Sequence, residues 1–88
     1  MVKWKKLTEN EIANLISKFK ALQGFTKIEA WKRDNTIIGY GRYIVREQRH
    51  PYAYSIFEIK DNRIEWHSDV YSLPEAKGLI SRLRERLN

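Results

Sequence analysis

The chain contains no cysteine, which excludes disulfide bonds and thiolate metal sites. It has only two histidines, so a buried zinc centre is not expected either. No apolar run approaches the length of about 20 residues that a membrane helix needs. The basic start MVKWKKLTEN also lacks the apolar segment of a signal peptide. We therefore expect a cytoplasmic protein without a metal or cofactor.

Glycine and proline are also scarce, with four and two residues respectively, and no linker or low-complexity segment is visible. A length of 88 residues is enough for one modest hydrophobic core and too short for two. The sequence thus predicts a single small domain spanning residues 1–88. Residues 1–7, which contain three lysines, are expected to form a flexible basic arm.

Positive charge is abundant. Seventeen lysines and arginines against eleven acidic residues give a formal net charge of +6. Such a field favours polyanionic partners, nucleic acid first and anionic membrane surfaces less often, although it also serves solubility. Part of the charge, at Arg82, Arg84 and Arg86, suits the C-terminal end of a helix dipole and needs no ligand.

Two segments carry the signals of amphipathic helices. In LTENEIANLISKFKALQG, Thr8 and Glu11 form a capping-box pattern, and Gly24 is expected to end the helix. In SLPEAKGLISRLRERLN, Ser72 and Glu75 repeat that pattern. Each segment places apolar residues at helical spacing, so each helix has one face to bury.

The segment between the helices predicts an antiparallel sheet. Asp-Asn pairs at 34–35 and 61–62 separate β-rich runs and indicate tight hairpin turns. The fold class is therefore α+β in the order α-β-β-β-β-α, with three to four strands and both helices packed on one face. Counting outward from the turns gives the register, with EQRHP as the loop of the middle hairpin. The predicted pairs are Ala30 with Gly39, Arg46 with Tyr52, Phe57 with Trp66, and Ala53 with Val70.

The far end of this predicted sheet combines groups that suit nucleic acid. Arginine side chains bind phosphates, tyrosine rings stack on bases, and the N-terminus of the second helix adds a positive dipole. The sequence therefore favours a small, non-enzymatic nucleic-acid-binding protein. The predicted contact residues are Arg46, Arg49, His50, Tyr52, Tyr54 and Tyr71.

Two other functions are compatible with the sequence. The sheet face predicted to be exposed carries apolar residues, which suggests a protein-interaction module or a homodimer. Its interface residues would be Trp31, Ile38, Tyr40 and Ile56. A small basic ribonuclease ranks last, with His50 or His67 as base and Glu58 or Glu65 as acid, because no catalytic arrangement is apparent and no catalytic residue is assigned.

Overall fold

The computed structural model describes residues 3–44 and 52–86, and it has the predicted α+β architecture. Its strands form one antiparallel sheet in the order β1-β2-β3-β4-β5. The sheet thus has five strands rather than the predicted three to four. In chain order the elements are β1 (Lys5–Lys6), α1 (Glu9–Lys18), a 3₁₀ turn (Lys20–Leu22), β2 (Thr26–Arg33), β3 (Thr36–Ile44), β4 (Tyr52–Lys60), β5 (Arg63–Val70) and α2 (Leu73–Arg86).

The additional strand, β1, comes from the segment that was predicted to be a flexible arm. Lys6 pairs with Trp31 in β2. The backbone N–H of Leu7 donates to the carbonyl of Ala30 at 2.9 Å, and the Leu7 side chain is buried. Burial of this leucine favours holding the chain against the sheet edge, so the described part of the segment belongs to the fold.

The helix-start signals are confirmed. The Thr8 hydroxyl accepts from the Glu11 N–H at 3.2 Å while the Glu11 carboxylate accepts from the Thr8 N–H at 3.0 Å. Ser72 accepts from the Glu75 N–H at 3.3 Å in the same way. However, α1 ends at Lys18, and Gly24 lacks the positive φ of a helix-stopping glycine. Neither α1 nor α2 is both long and apolar enough to cross a membrane.

Both predicted hairpin turns are present, but the register between strands differs in three places, one of which is a bulge in β2 that pairs Thr26 instead of Lys27 with Arg42. The pairs Ala30 with Gly39 and Phe57 with Trp66 are confirmed. Between β3 and β4 the register is displaced by two residues, because the connection spans residues 45–51 and Tyr52 pairs with Ile44 instead of Arg46.

The third difference is a bulge in β5 beside Ile56 and Phe57 of β4. It inserts one residue into β5, so Val70 pairs with Tyr54 and not with Ala53. A shift of one residue moves a side chain to the other face of a sheet. The Val70 side chain consequently packs with Ile56 rather than with Phe57.

The two helices cover opposite faces of the sheet, so the prediction that both pack on one face is wrong. Neighbouring residues in a strand point to opposite faces. Phe57 packs with Leu15 of α1, whereas Ile56 packs with Ala76 and Ile80 of α2. We call these surfaces the α1 face (Ile28, Ala30, Phe57 and Ile59) and the α2 face (Ile38, Tyr40, Ile56 and Val70).

Candidate nucleic-acid interface

The residues predicted to interact at the far end of the sheet are only partly described. Arg46, Arg49 and His50 lie outside the described residues, and Tyr52 begins β4. Tyr54 is half-buried, and its ring lies 5.7 Å from that of Tyr40 on the α2 face.

Tyr71 is 45% exposed, unlike Tyr54. Burial is the main cause of the raised pKa of the Tyr43 phenol, and Tyr71 lies close enough to raise that pKa further. Tyr43 belongs to the α1 face, because it pairs with Ala53, and this pair lies four positions along each strand from Gly39 and its partner Phe57. The structure therefore does not bring Tyr54 and Tyr71 into one surface.

The predicted protein interface is covered within the chain itself. Ile38 and Ile56 are fully buried, Tyr40 is 3% exposed, and all three pack with residues of α2. Trp31 is half-buried against the same cluster. The expectation that this face is exposed is wrong. The sequence pattern suggested that a partner molecule covers it, whereas α2 of the same chain does so.

A different site emerges where α2 crosses the edge strands. A groove of about 300 Å³ lies between α2 and the β1–β2 edge of the α2 face. We call it the tryptophan groove. Its lining residues are Lys6, Glu29, Trp31, Lys77, Ile80, Ser81 and Arg84.

Local structure explains why cations converge in this groove. The pairing of β1 with β2 places Lys6 opposite Trp31, on the same side of the sheet. On α2, Lys77, Ser81 and Arg84 follow the spacing i, i+4, i+7, which forms one stripe along a helix. The stripe runs beside the apolar residues that hold α2 on the sheet, so its side chains border the groove.

Aromatic rings hold several of these cations in place. The Lys6 ammonium lies 5.9 Å from the centroid of the Trp31 ring, and the Arg84 guanidinium lies 5.1 Å from it. At the neighbouring Trp4, the Arg33 guanidinium is 4.7 Å from the ring centroid. Each exposed contact of this kind contributes about 0.5–1 kcal/mol. The rings thereby restrict the positions of charged groups at the surface.

The electrostatic balance of the groove is positive. Three cations, Lys6, Lys77 and Arg84, face one carboxylate, that of Glu29. Glu29 accepts a hydrogen bond from the Tyr40 hydroxyl at 2.5 Å and lies 3.4 Å from the Lys6 ammonium. The Tyr40 bond is the main cause of the lowered pKa of Glu29, and Lys6 and Lys77 lower it further. Glu29 thus stays ionised and neutralises only part of the positive charge.

Replacing Tyr40 with Phe should weaken the dependence of stability on acidic pH. A carboxylate whose folded-state pKa is depressed contributes stability above its unfolded pKa, and loses it as pH falls through the folded pKa. Tyr40→Phe removes the main cause of this shift at Glu29, whose usual pKa is 4.5. The melting temperature of the wild type should therefore fall more than that of the variant between about pH 5 and about pH 3. Thermal melts across this range measure the effect, and parallel curves would contradict it.

Sequence reasoning missed this groove, although a signal was present. Lys77 and Arg84 are two helical turns apart and lie on one side of the predicted helix, which marks a positive stripe. Arg84 was expected only to complement the helix dipole, whereas it lies over Trp31. Strand β1, which brings Lys6 into the groove, was not predicted at all.

The structure also brings together a pair from the ribonuclease hypothesis. The Nε2 atom of His67 is 2.9 Å from Oε1 of Glu58. Beside this pair is an open concavity of about 500 Å³. Three carboxylates line it against two cations, so it is less suited to a phosphate than the tryptophan groove. Its lining residues are Glu58, Lys60, Asp61, Arg63 and Glu65.

Among the described residues, the other acidic groups form no metal site, and the most exposed tryptophan packs against a neighbouring ring. Within residues 3–44 and 52–86, no cluster of three or more His, Asp or Glu side chains is arranged to hold a metal ion. On the α1 face, Trp66 is 45% exposed but packs its ring 5.3 Å from that of Phe25. Comparison of the chain with protein families, curated proteins and solved structures found no match.

Proposed function

We propose that this protein binds nucleic acid, and that the tryptophan groove contacts the phosphates. One observation carries the proposal: three cations from two separate elements, Lys6 of β1 and Lys77 and Arg84 of α2, border one groove around the Trp31 ring. Lysine and arginine bound to phosphates displace counterions, which drives association. The net charge of +6 adds long-range attraction to the same partner.

The alternative proposal of a homodimer through the sheet face loses its support, since α2 covers Ile38, Tyr40 and Ile56. The ribonuclease alternative gains the contact between His67 and Glu58, but the acidic excess in the adjoining concavity disfavours a bound phosphodiester. The hairpin residues Arg46 and Arg49 remain a proposed second contact region.

Removal of two groove cations should reduce both the affinity for nucleic acid and its salt dependence. On a duplex, each phosphate contact contributes about 0.9 to the slope of log K against log salt concentration, so Lys77→Ala/Arg84→Ala should lower the slope by about 1.8. Fluorescence anisotropy with a labelled duplex over a salt titration measures this change. Adding Arg46→Ala/Arg49→Ala to the series tests the hairpin in the same way.

The matched control is Arg82→Ala/Arg86→Ala. These exposed arginines lie on the same helix but do not line the groove, and their removal subtracts the same charge. Equal losses for the control and the groove variant would show that only diffuse charge is at work.

Glu29→Gln gives a test in the opposite direction, because it removes the negative charge of the groove while its amide oxygen can still accept from Tyr40. Affinity should rise in this variant.

A further inference from the structure

We infer that the tryptophan groove contacts the phosphate backbone of a double-stranded nucleic acid and reads no bases. This inference rests on the proposed function and names the form of nucleic acid that the groove suits. It follows from three properties of the groove: its Trp31 ring is occupied, its carboxylate and its arginine are engaged, and its cations project from regular secondary structure at fixed spacing.

The tryptophan rings at this site are occupied by protein groups. Lys6 and Arg84 lie over the Trp31 ring, whose remaining contacts include the α2-face cluster. Trp4 carries Arg33 over its ring and packs against the same cluster. A base can stack only on an open ring face, and proteins that bind single strands depend on such stacking for affinity. The groove therefore lacks the main contact that a single strand requires.

The polar side chains of the groove are also poorly suited to reading base edges. Direct readout uses paired donors and acceptors, such as an Asn or Gln amide on adenine or an arginine fork on guanine. The Glu29 carboxylate already interacts with Tyr40 and Lys6. The Arg84 guanidinium lies over Trp31 and donates to the Ser81 hydroxyl at 3.4 Å. What remains for a ligand is positive charge, which recognises phosphates of any sequence.

The fixed spacing of the cations favours a duplex over a flexible strand. Lys77 and Arg84 are separated by seven residues of one helix, a rise of about 10.5 Å. Lys6 is held across the groove by its strand and by Trp31. A duplex presents rigid phosphates at high charge density, whereas a single strand must lose conformational freedom to match fixed cations. Without stacking, nothing in the groove offsets that loss.

The test compares a duplex with each of its separated strands, and compares several unrelated duplex sequences, by anisotropy over a salt titration. The three groove contacts should contribute about −2.7 to the slope on a duplex and about −2.1 on a single strand. The duplex should bind more tightly than either strand at equal salt. Affinities for unrelated duplexes should agree within a few-fold.

A variant outside the groove separates this mechanism from base stacking. Trp66 is the most exposed tryptophan among the described residues, and a protein that stacks bases on it would lose about 5- to 150-fold in affinity for single strands in Trp66→Ala. The inference predicts that Trp66→Ala leaves the affinity for both the duplex and the single strand unchanged. Circular dichroism and thermal melting establish that each variant is folded.

The outcomes distinguish the inference from the proposed function. Tighter binding to single strands, strong preference among duplex sequences, or a loss in Trp66→Ala overturns the inference and leaves nucleic-acid binding standing. Binding to phosphatidylserine vesicles with none to duplex or single strand overturns both. Duplex preference that disappears in Lys77→Ala/Arg84→Ala, and persists in Arg82→Ala/Arg86→Ala, supports both.

Discussion

Ile38→Glu should abolish the folded state, and circular dichroism and thermal melting should show no cooperative transition. The Ile38 side chain is fully buried in the α2-face cluster, where a carboxylate would have neither water nor a cation. Leaving an unpaired charge in a core costs about 3–5 kcal/mol. The lost burial of the isoleucine side chain adds about 2–5 kcal/mol, and the two losses together match the lower half of the about 5–15 kcal/mol that stabilises a small domain.

The matched control is Ile44→Glu, on the same strand and the same side of the sheet. Ile44 is 62% exposed, so its replacement should change stability by no more than about 0.5 kcal/mol. If the Ile38 variant instead remained folded with an unchanged melting temperature, α2 would not cover this face. The contrast between the two isoleucines therefore tests the placement of α2 directly.

Gly39→Ala should destabilise the protein by about 3 kcal/mol or more, at or above the upper end of the usual range for overpacking. A β-carbon at this position would lie 2.4 Å from the backbone carbonyl oxygen of Glu29 and 2.9 Å from atoms of Ala30 and Phe57. The carbonyl belongs to the neighbouring strand and cannot move without disturbing the ladder between β2 and β3. Urea denaturation measures the loss.

Gly24→Ala is the control for this substitution. Nothing lies within 4 Å of a β-carbon at position 24, and the residue has no positive φ. Alanine there should be neutral or should stabilise by about 0.4–1 kcal/mol, because it restricts the unfolded chain. A similar loss at both positions would mean that strand propensity and backbone entropy, rather than the close approach at Gly39, decide the outcome.

The Ile38 prediction bears on function as well as stability, because the tryptophan groove exists only where α2 crosses the β1–β2 edge. The apolar side of α2 holds the helix on the sheet through Ala76 and Ile80. This contact sets the position of Lys77 and Arg84 relative to Trp31. A variant that loosens α2 should therefore weaken nucleic-acid binding without removing any charge.

Local interactions made the helices and turns predictable from sequence. The capping box at Thr8 and Glu11 joins residues three apart, so its pattern is visible in the sequence. The turns at Asp34 and Asp61 place these residues at positive φ, which aspartate tolerates better than most residues. The strand pairs next to these turns were predicted correctly because a two-residue turn fixes its own register.

Registers farther from a tight turn were not predictable in the same way. The connection across residues 45–51 is longer than the predicted five-residue loop, and the pairing of Tyr52 with Ile44 is displaced accordingly. In β5 the bulge interrupts the alternation on which counting depends, and Val70 moves to the opposite face. The first error had paired Tyr52 with Arg46, and the second had placed Tyr54 and Tyr71 on one surface, whereas the bulge puts them on different surfaces.

The sequence by itself determined the two helices, strands β2 to β5, the hairpin turns and the positive charge, because each depends on local spacing or on composition alone. It also showed that the strands carry apolar residues on both faces, at Phe57 and at Ile38 and Ile56. Only the tertiary structure decided what covers the second face. A buried apolar face is stabilised equally by a helix of the same chain or by another molecule, since the hydrophobic effect has no direction. In the structure α2 covers this face, and its position brings Lys77 and Arg84 to the groove that Lys6 and Trp31 also line.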